Sequence, residues 1–201
     1  MLEEFFYTPN KWGGRTAPVR LIIIHATRSG DPTADDWRGT INWFANLESQ
    51  VSAHVLAGRG GRRGRFVADG DTAWGAAEHN PYSLHIEFEQ NTADLPFTNA
   101  QLATGAEQVC EWCDKYNIPK ERGHYGGTDK IMGHEDTPQG IRIGKSDPGP
   151  LFPWDRFLAM VRGEDTMLDV LKAAQHLAGL ALKGEWQDLA NALKFLGVTA
   201  K

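Results

Sequence analysis

Residues 19–25, VRLIIIH, constrain this chain more than any other stretch. From Leu21 to Ile24 there is no polar position, and a short β-branched run of that kind is the pattern of a strand buried on both faces. Such a strand needs helices to cover its sheet, and the sequence supplies them in alternation with further strands. Thr33 and Asp36 read as a T-x-x-D capping box ahead of a helix whose apolar face carries Trp37, Ile41 and Phe44. SAHVLA (52–57) and RFVA (65–68) form an expected hairpin around a glycine–arginine turn, and SLHIEFEQ (83–90) alternates strictly. In that alternation Leu84, Ile86 and Phe88 face one way, and His85, Glu87 and Glu89 the other. Thr98 with Gln101 starts a helix that runs to about Tyr116. KIMGH (130–134) is a last short strand, and a helix from about Pro153 to Arg162 follows a long loop. The fold class is α/β, a sheet with helices packed on its faces.

At 201 residues and 41% apolar composition, the chain suits one domain with a real core and a modest appendage. A net charge of −5 argues against a general nucleic-acid binder. The four arginines of GRGGRRGR (58–65) read as a solvated turn, the sharper alternative being a contact for an anionic polymer. No apolar run approaches the roughly 20 residues of a membrane helix, so membrane insertion is not expected. MLEEFFYTPNKW has no basic region leading into an apolar stretch, so the expectation is a protein without a signal peptide, cytoplasmic when made. Cys110 and Cys113 share the helix with Leu102, Ala106, Val109 and Tyr116, at steps of three and four. That places Cys113 on an apolar stripe, as a core residue rather than half of a zinc or redox pair.

The composition changes at about Gly163. Thr166 and Asp169 read as another capping box. Two apolar stripes at helical spacing then flank Lys183-Gly184, giving an expected helical hairpin over 164–201. Residues 165–201 hold four lysines against four acids, so the hairpin is no polybasic anchor. Alone it is too small to fold, and its stripes must dock on the main domain, on a second copy, or on a wall or partner surface.

Two histidines stand where chemistry gathers. His25 ends the buried strand and His134 ends the last one, and in open α/β sheets sites form outside strand carboxyl ends. Asp147, followed by Pro148 and Pro150, is held in a stiff loop. Two imidazoles and a carboxylate make the donor set of a catalytic zinc site with its fourth position open.

The stretches LIIIHATRSG, INWFANLESQVSAHVLAG, AWGAAEHNPYSLHIEFEQ, FTNAQ and IMGHEDTPQGIRIGKSDPGPLFPW, in that order over residues 19 to about 158, resemble the zinc N-acetylmuramoyl-L-alanine amidases. That family also contains peptidoglycan recognition proteins and phage amidases. The resemblance implies a central mixed β-sheet flanked by α-helices, with a zinc amidase catalytic domain over 1–163 and the hairpin as appendage. It places the Zn2+ ligands on His25, His134 and Asp147, in the branch of the family whose third ligand is aspartate. The family's catalytic carboxylate, in a strand that usually reads S-x-G-I-E, falls on Glu87. The lysine two before the third ligand falls on Lys145. A tyrosine that some relatives carry falls on Ala53, which favours the carboxylate form of the mechanism. Where relatives commonly read AWHAG, this chain has AWGAAE, so Gly75 stands in place of a histidine and one substrate contact is lost.

The implied reaction is hydrolysis of the amide between N-acetylmuramic acid and L-alanine of the stem peptide. Zinc would acidify water and polarise the carbonyl, Glu87 would carry the proton, and Lys145 would stabilise the oxyanion. The implied partner is peptidoglycan, with possible self-association through the hairpin. The implied biology is a phage endolysin acting on the host wall, with a muropeptide-recycling amidase or a non-catalytic recognition module as alternatives. His54 and His85 are expected to support the site, and His79, His124 and His176 to lie on the surface. Trp37, Trp43 and Phe44 are expected in the core, and Trp74 at the sugar.

Overall fold

The computed structural model describes residues 3–164 apart from 32 and 34, and the elements below fall in one unit, Met1–Val161. The strands are β1 Glu3–Phe5, β2 Lys11–Trp12, β3 Leu21–Ala26, β4 Val55–Ala57, β5 Arg63–Arg65, β6 Thr72–Ala73, β7 Ser83–Phe88 and β8 Lys130–Gly133. The α-helices are α1 Asp36–Ala45, α2 Asn99–Tyr116, α3 Pro138–Ile143 and α4 Trp154–Val161.

The central sheet runs β1-β5-β4-β7-β3-β8. Its β4–β5 pair is antiparallel and its other pairs are parallel, so the sheet is mixed, and β2 and β6 form a small antiparallel pair beside it. The VRLIIIH run is its middle: all six residues of β3 are buried, between β7 and β8. Alternation sends Ile22, Ile24, Leu84, Ile86 and Phe88 into a core shared with α2 and α4. Leu21 and Ile23 go to the opposite face, with Ala76 and Met132. Trp37 and Phe44 of α1 pack with Leu56 and Phe66 in a third cluster. Burial on both faces is what the continuous apolar run demands.

Several expectations need correction. Thr33 does not cap α1. Its N–H and hydroxyl both donate to Asp31, and Asp35 caps the helix by accepting from the Arg38 N–H at 3.0 Å. The arginine run is not a solvated turn throughout. Arg63 is buried and Arg65 lies 2.9 Å from Glu3 and 2.7 Å from Asp69, while Arg62 pairs with Glu4 at 2.8 Å. Glu3 and Glu4 come from β1, a strand too short to declare itself by periodicity. Trp43, expected in the core, is 54% exposed. The Thr98–Gln101 capping box of α2 is present, and Cys113 is buried and free. The hairpin expected over 164–201 lies, apart from Glu164, outside the described residues, as does His176. Among the described residues no helix is long and apolar enough to cross a membrane.

Candidate metal centre

The site forms at the carboxyl ends of β3, β7 and β8. His25 and Glu87 are register partners on adjacent parallel strands. β8 ends at Gly133, and His134 opens the 3-10 turn His134–Asp136. Asp147 arrives from the loop after α3, a helix that Gly144 ends at φ 70°, a left-handed conformation that suits glycine. That loop is pinned to the turn by the Glu135 N–H donating to the Asp147 carbonyl at 2.9 Å. Gly133 lets it approach, because a side chain there would meet Pro148 Cδ at 2.9 Å.

These segments, remote in sequence, bring three donors together. His25 Nδ1 lies 3.1 Å and His134 Nδ1 3.4 Å from Asp147 Oδ2. One ligand atom from each residue lies within 4.8 Å of the others. Zinc bonds to nitrogen and oxygen run to about 2.1 Å, which sets tetrahedral ligand atoms roughly 3.4 Å apart, so this spacing suits such an ion.

Proton bookkeeping agrees. The Gln139 side-chain oxygen can only accept, so His134 Nε2, at 2.8 Å, carries the hydrogen. His134 Nδ1 is then a bare lone pair, and among the described residues it is buried with no hydrogen-bond partner. A buried lone pair facing a carboxylate calls for a cation between them. Burial, reinforced by His134, lowers His25 to about 4 despite the attraction of Asp147, so His25 is neutral at physiological pH. Burial would raise Asp147, but the two imidazoles packed against it, His134 and His25, outweigh that and hold the carboxyl well below its usual range.

Glu87 and Lys145 line the same cleft, of about 670 Å³. Burial and the neighbouring Asp147 push Glu87 up to about 8, with Lys145 opposing. Its Oε2 is buried without a partner among the described residues. Lys145 is exposed, with its backbone N–H fixed on the Gly140 carbonyl at 2.9 Å. A second cleft of about 580 Å³ shares His134 and Lys145 with the first and is lined by Trp12 and Trp74, whose rings lie 5.5 Å apart. Trp43 lines the first cleft.

Two supporting residues escaped the sequence reading. His79, expected on the surface, is buried, and its Nε2 accepts the Gln139 N–H at 3.3 Å. Gln139 in turn orients His134. Both sit in short helical turns without apolar periodicity, so no pattern marked them. His54 and His85 are buried beside the site as expected, and His124 is exposed.

Residues 15–150 match the family model described as N-acetylmuramoyl-L-alanine amidase. The chain is 33% identical over 165 residues to the 1,6-anhydro-N-acetylmuramyl-L-alanine amidase AmpD of Haemophilus influenzae, a match covering 72% of this chain and 83% of AmpD. It is 26% identical over 160 residues to N-acetylmuramoyl-L-alanine amidase A of Achromobacter lyticus, covering 71% and 82%. Among solved structures, the Staphylococcus aureus hydrolase AmiA shares the fold with a TM-score of 0.63 at 17% identity, covering 82% of this chain and 83% of AmiA. An AmpD derivative does so at 0.62 and 23%, covering 79% and 94%. Mixed sheet, flanking helices and an amide-hydrolase cleft define the class. The chain belongs to the N-acetylmuramoyl-L-alanine amidase family, and it is a peptidoglycan amidase.

Proposed function

We propose that this amidase depends on zinc held by His25, His134 and Asp147, and that it cuts the bond between the lactyl group of N-acetylmuramic acid and L-alanine. The observation that carries the reading is the convergence of those three donors, with the orphaned Nδ1 of His134 among them. Bound there, zinc supplies Lewis-acid chemistry, acidifying water and polarising an amide carbonyl. Glu87 accepts the proton of the attacking water at its free Oε2 and returns it to the leaving nitrogen. Burial raises its pKa toward the range where one group does both. Lys145 offers its ammonium to the developing oxyanion. The Trp12–Trp74 pair gives a sugar ring an aromatic surface beside the chemistry.

Residues 1–163 are the catalytic domain in this reading, and 164–201 an appendage for docking or self-association. Its biology is that of a phage endolysin acting on intact host wall. The similarity to AmpD favours a second reading, an enzyme of soluble anhydro-muropeptides. Mass analysis of products tests both. Glycan strands freed of stem peptides, in a reaction abolished by chelator, are expected, and chelator-insensitive cleavage or a cut elsewhere would refute the zinc amidase. Faster turnover of intact sacculi than of soluble 1,6-anhydro substrates supports the endolysin, and the reverse supports recycling.

A further inference from the structure

His85 lies on β7 two residues before Glu87, and it is fully buried. Its Nδ1 is 3.1 Å from His25 Nε2, and its Nε2 is 2.8 Å from Ser83 Oγ. Ser83 fixes the direction of every proton in this line. Its hydroxyl donates to the His79 carbonyl at 2.7 Å, so it turns a lone pair toward His85. His85 Nε2 therefore carries the hydrogen, and Nδ1 of the neutral ring is bare. A bare Nδ1 accepts from His25 Nε2–H. That leaves His25 Nδ1 as a lone pair, and it is this atom that lies 3.1 Å from Asp147 Oδ2. The reverse order, with Ser83 donating to His85 and His25 Nδ1–H to Asp147, would leave the Ser83 oxygen 2.7 Å from the His79 carbonyl with no hydrogen between them, so the Ser83–His79 bond selects the polarity.

Gly75 makes room for it. A Cβ at 75 would sit 2.6 Å from His85 Nδ1 and 3.0 Å from its Cγ, closer than side chains pack. The S-x-G-I-E pattern has glycine where this chain has His85, and AWHAG has histidine where this chain has Gly75. The two departures touch, Gly75 leaving the space that the His85 ring occupies.

We propose that His85, directed by Ser83 and admitted by Gly75, is a positioning residue that locks His25 in the Nε2-protonated tautomer and aims its Nδ1 at the metal centre. The consequence for metal affinity rests on His25 being a ligand, as proposed above; the tautomer does not. Partners of metal-bound histidines typically change affinity about 10–100-fold when removed.

The experiment uses full-length protein with ¹⁵N-labelled histidine. Long-range ¹H–¹⁵N spectra of the chelator-treated protein report the tautomer, and competition with a chromophoric chelator reports the zinc dissociation constant. In the wild type His25 shows a protonated Nε2 and a bare Nδ1. In His85→Leu its nitrogen shifts move toward the tautomer average and zinc binds about 10–100-fold more weakly. Ser83→Ala, which removes a single oxygen, moves the His85 and His25 shifts the same way, and it decides the matter if His85→Leu does not fold. A wild-type His25 protonated at Nδ1 overturns the proposal. So does a folded variant that keeps both the wild-type His25 shifts and the wild-type zinc affinity. If His25→Ala binds zinc normally, the ligand assignment fails on its own, and the shifts still judge His85.

Discussion

Glu87 combines a half-buried carboxyl with an oxygen that has no partner among the described residues, and both properties have consequences beyond catalysis. Glu87→Gln keeps the shape of the side chain and removes its ability to carry a proton. The variant is expected to bind zinc as the wild type does and to lose turnover by about 10²–10⁴-fold. Near-wild-type hydrolysis would take Glu87 out of the mechanism. A second effect concerns stability. The carboxyl loses its proton near 4.5 when unfolded but near 8 when folded. Between those values the folded state holds a proton that the unfolded state has released, so stability falls as pH rises through the window. Chelator-treated Glu87→Gln should therefore melt above the chelator-treated wild type at pH 8, by about 2–4 °C for each kcal/mol relieved. Equal melting temperatures would show that the burial penalty is not felt.

Elements differ in how far the sequence discloses them, and the reasons are physical. β3 was legible because a strand covered on both faces leaves no polar position, and β7 because its alternation sorts two environments. The α2 capping box was legible because the Thr98 and Gln101 side chains act within one turn, with the Gln101 N–H donating to Thr98 Oγ1 at 3.1 Å. The start of α1 misled because TADD offers several caps, and turn geometry chose Asp35. Trp43 misled because three aromatic side chains suggested one apolar face, yet at 100° per residue position 43 falls away from Trp37 and Phe44. Strands of two or three residues such as β1, β2 and β6 have no period to detect, so the acids that neutralise Arg62 and Arg65 could not be foreseen. At the site, His25, His134 and Asp147 follow from strand ends and a stiff loop, whereas alternation gives only the face of Glu87 and its role comes from the family resemblance. The His85–His25 and Gln139–His79 hydrogen bonds join segments that only the fold brings together.

At the scale of the whole molecule, buried imidazoles set the response to acid. Burial lowers His25 from 6.5 to about 4 and His54 to about 3, and it holds His85 well below its usual range. The unfolded chain takes up protons below 6.5 that these rings refuse, so stability falls as pH drops through 6.5. Each contributes roughly 1.4 kcal/mol per pH unit until its folded pKa is passed. Glu87 acts in the opposite sense from 4.5 to 8, one group against three below 6.5 and alone against none of them above it. The melting temperature of the chelator-treated protein should peak at about pH 6–7, declining steeply on the acid side and gently on the alkaline side. A melting temperature that climbs steadily from pH 5 to 9 would contradict that balance.

The central claim is that three side chains from three separate segments hold one zinc ion. Its most direct test is metal titration of the full-length protein, stripped by chelator and monitored by calorimetry, beside His134→Ala and Asp147→Ala variants whose folding is checked by circular dichroism. The expected result is one zinc per wild-type chain and affinity lost in both folded variants. A wild-type protein that binds no zinc, or folded variants that bind it as tightly as the wild type, would contradict the account.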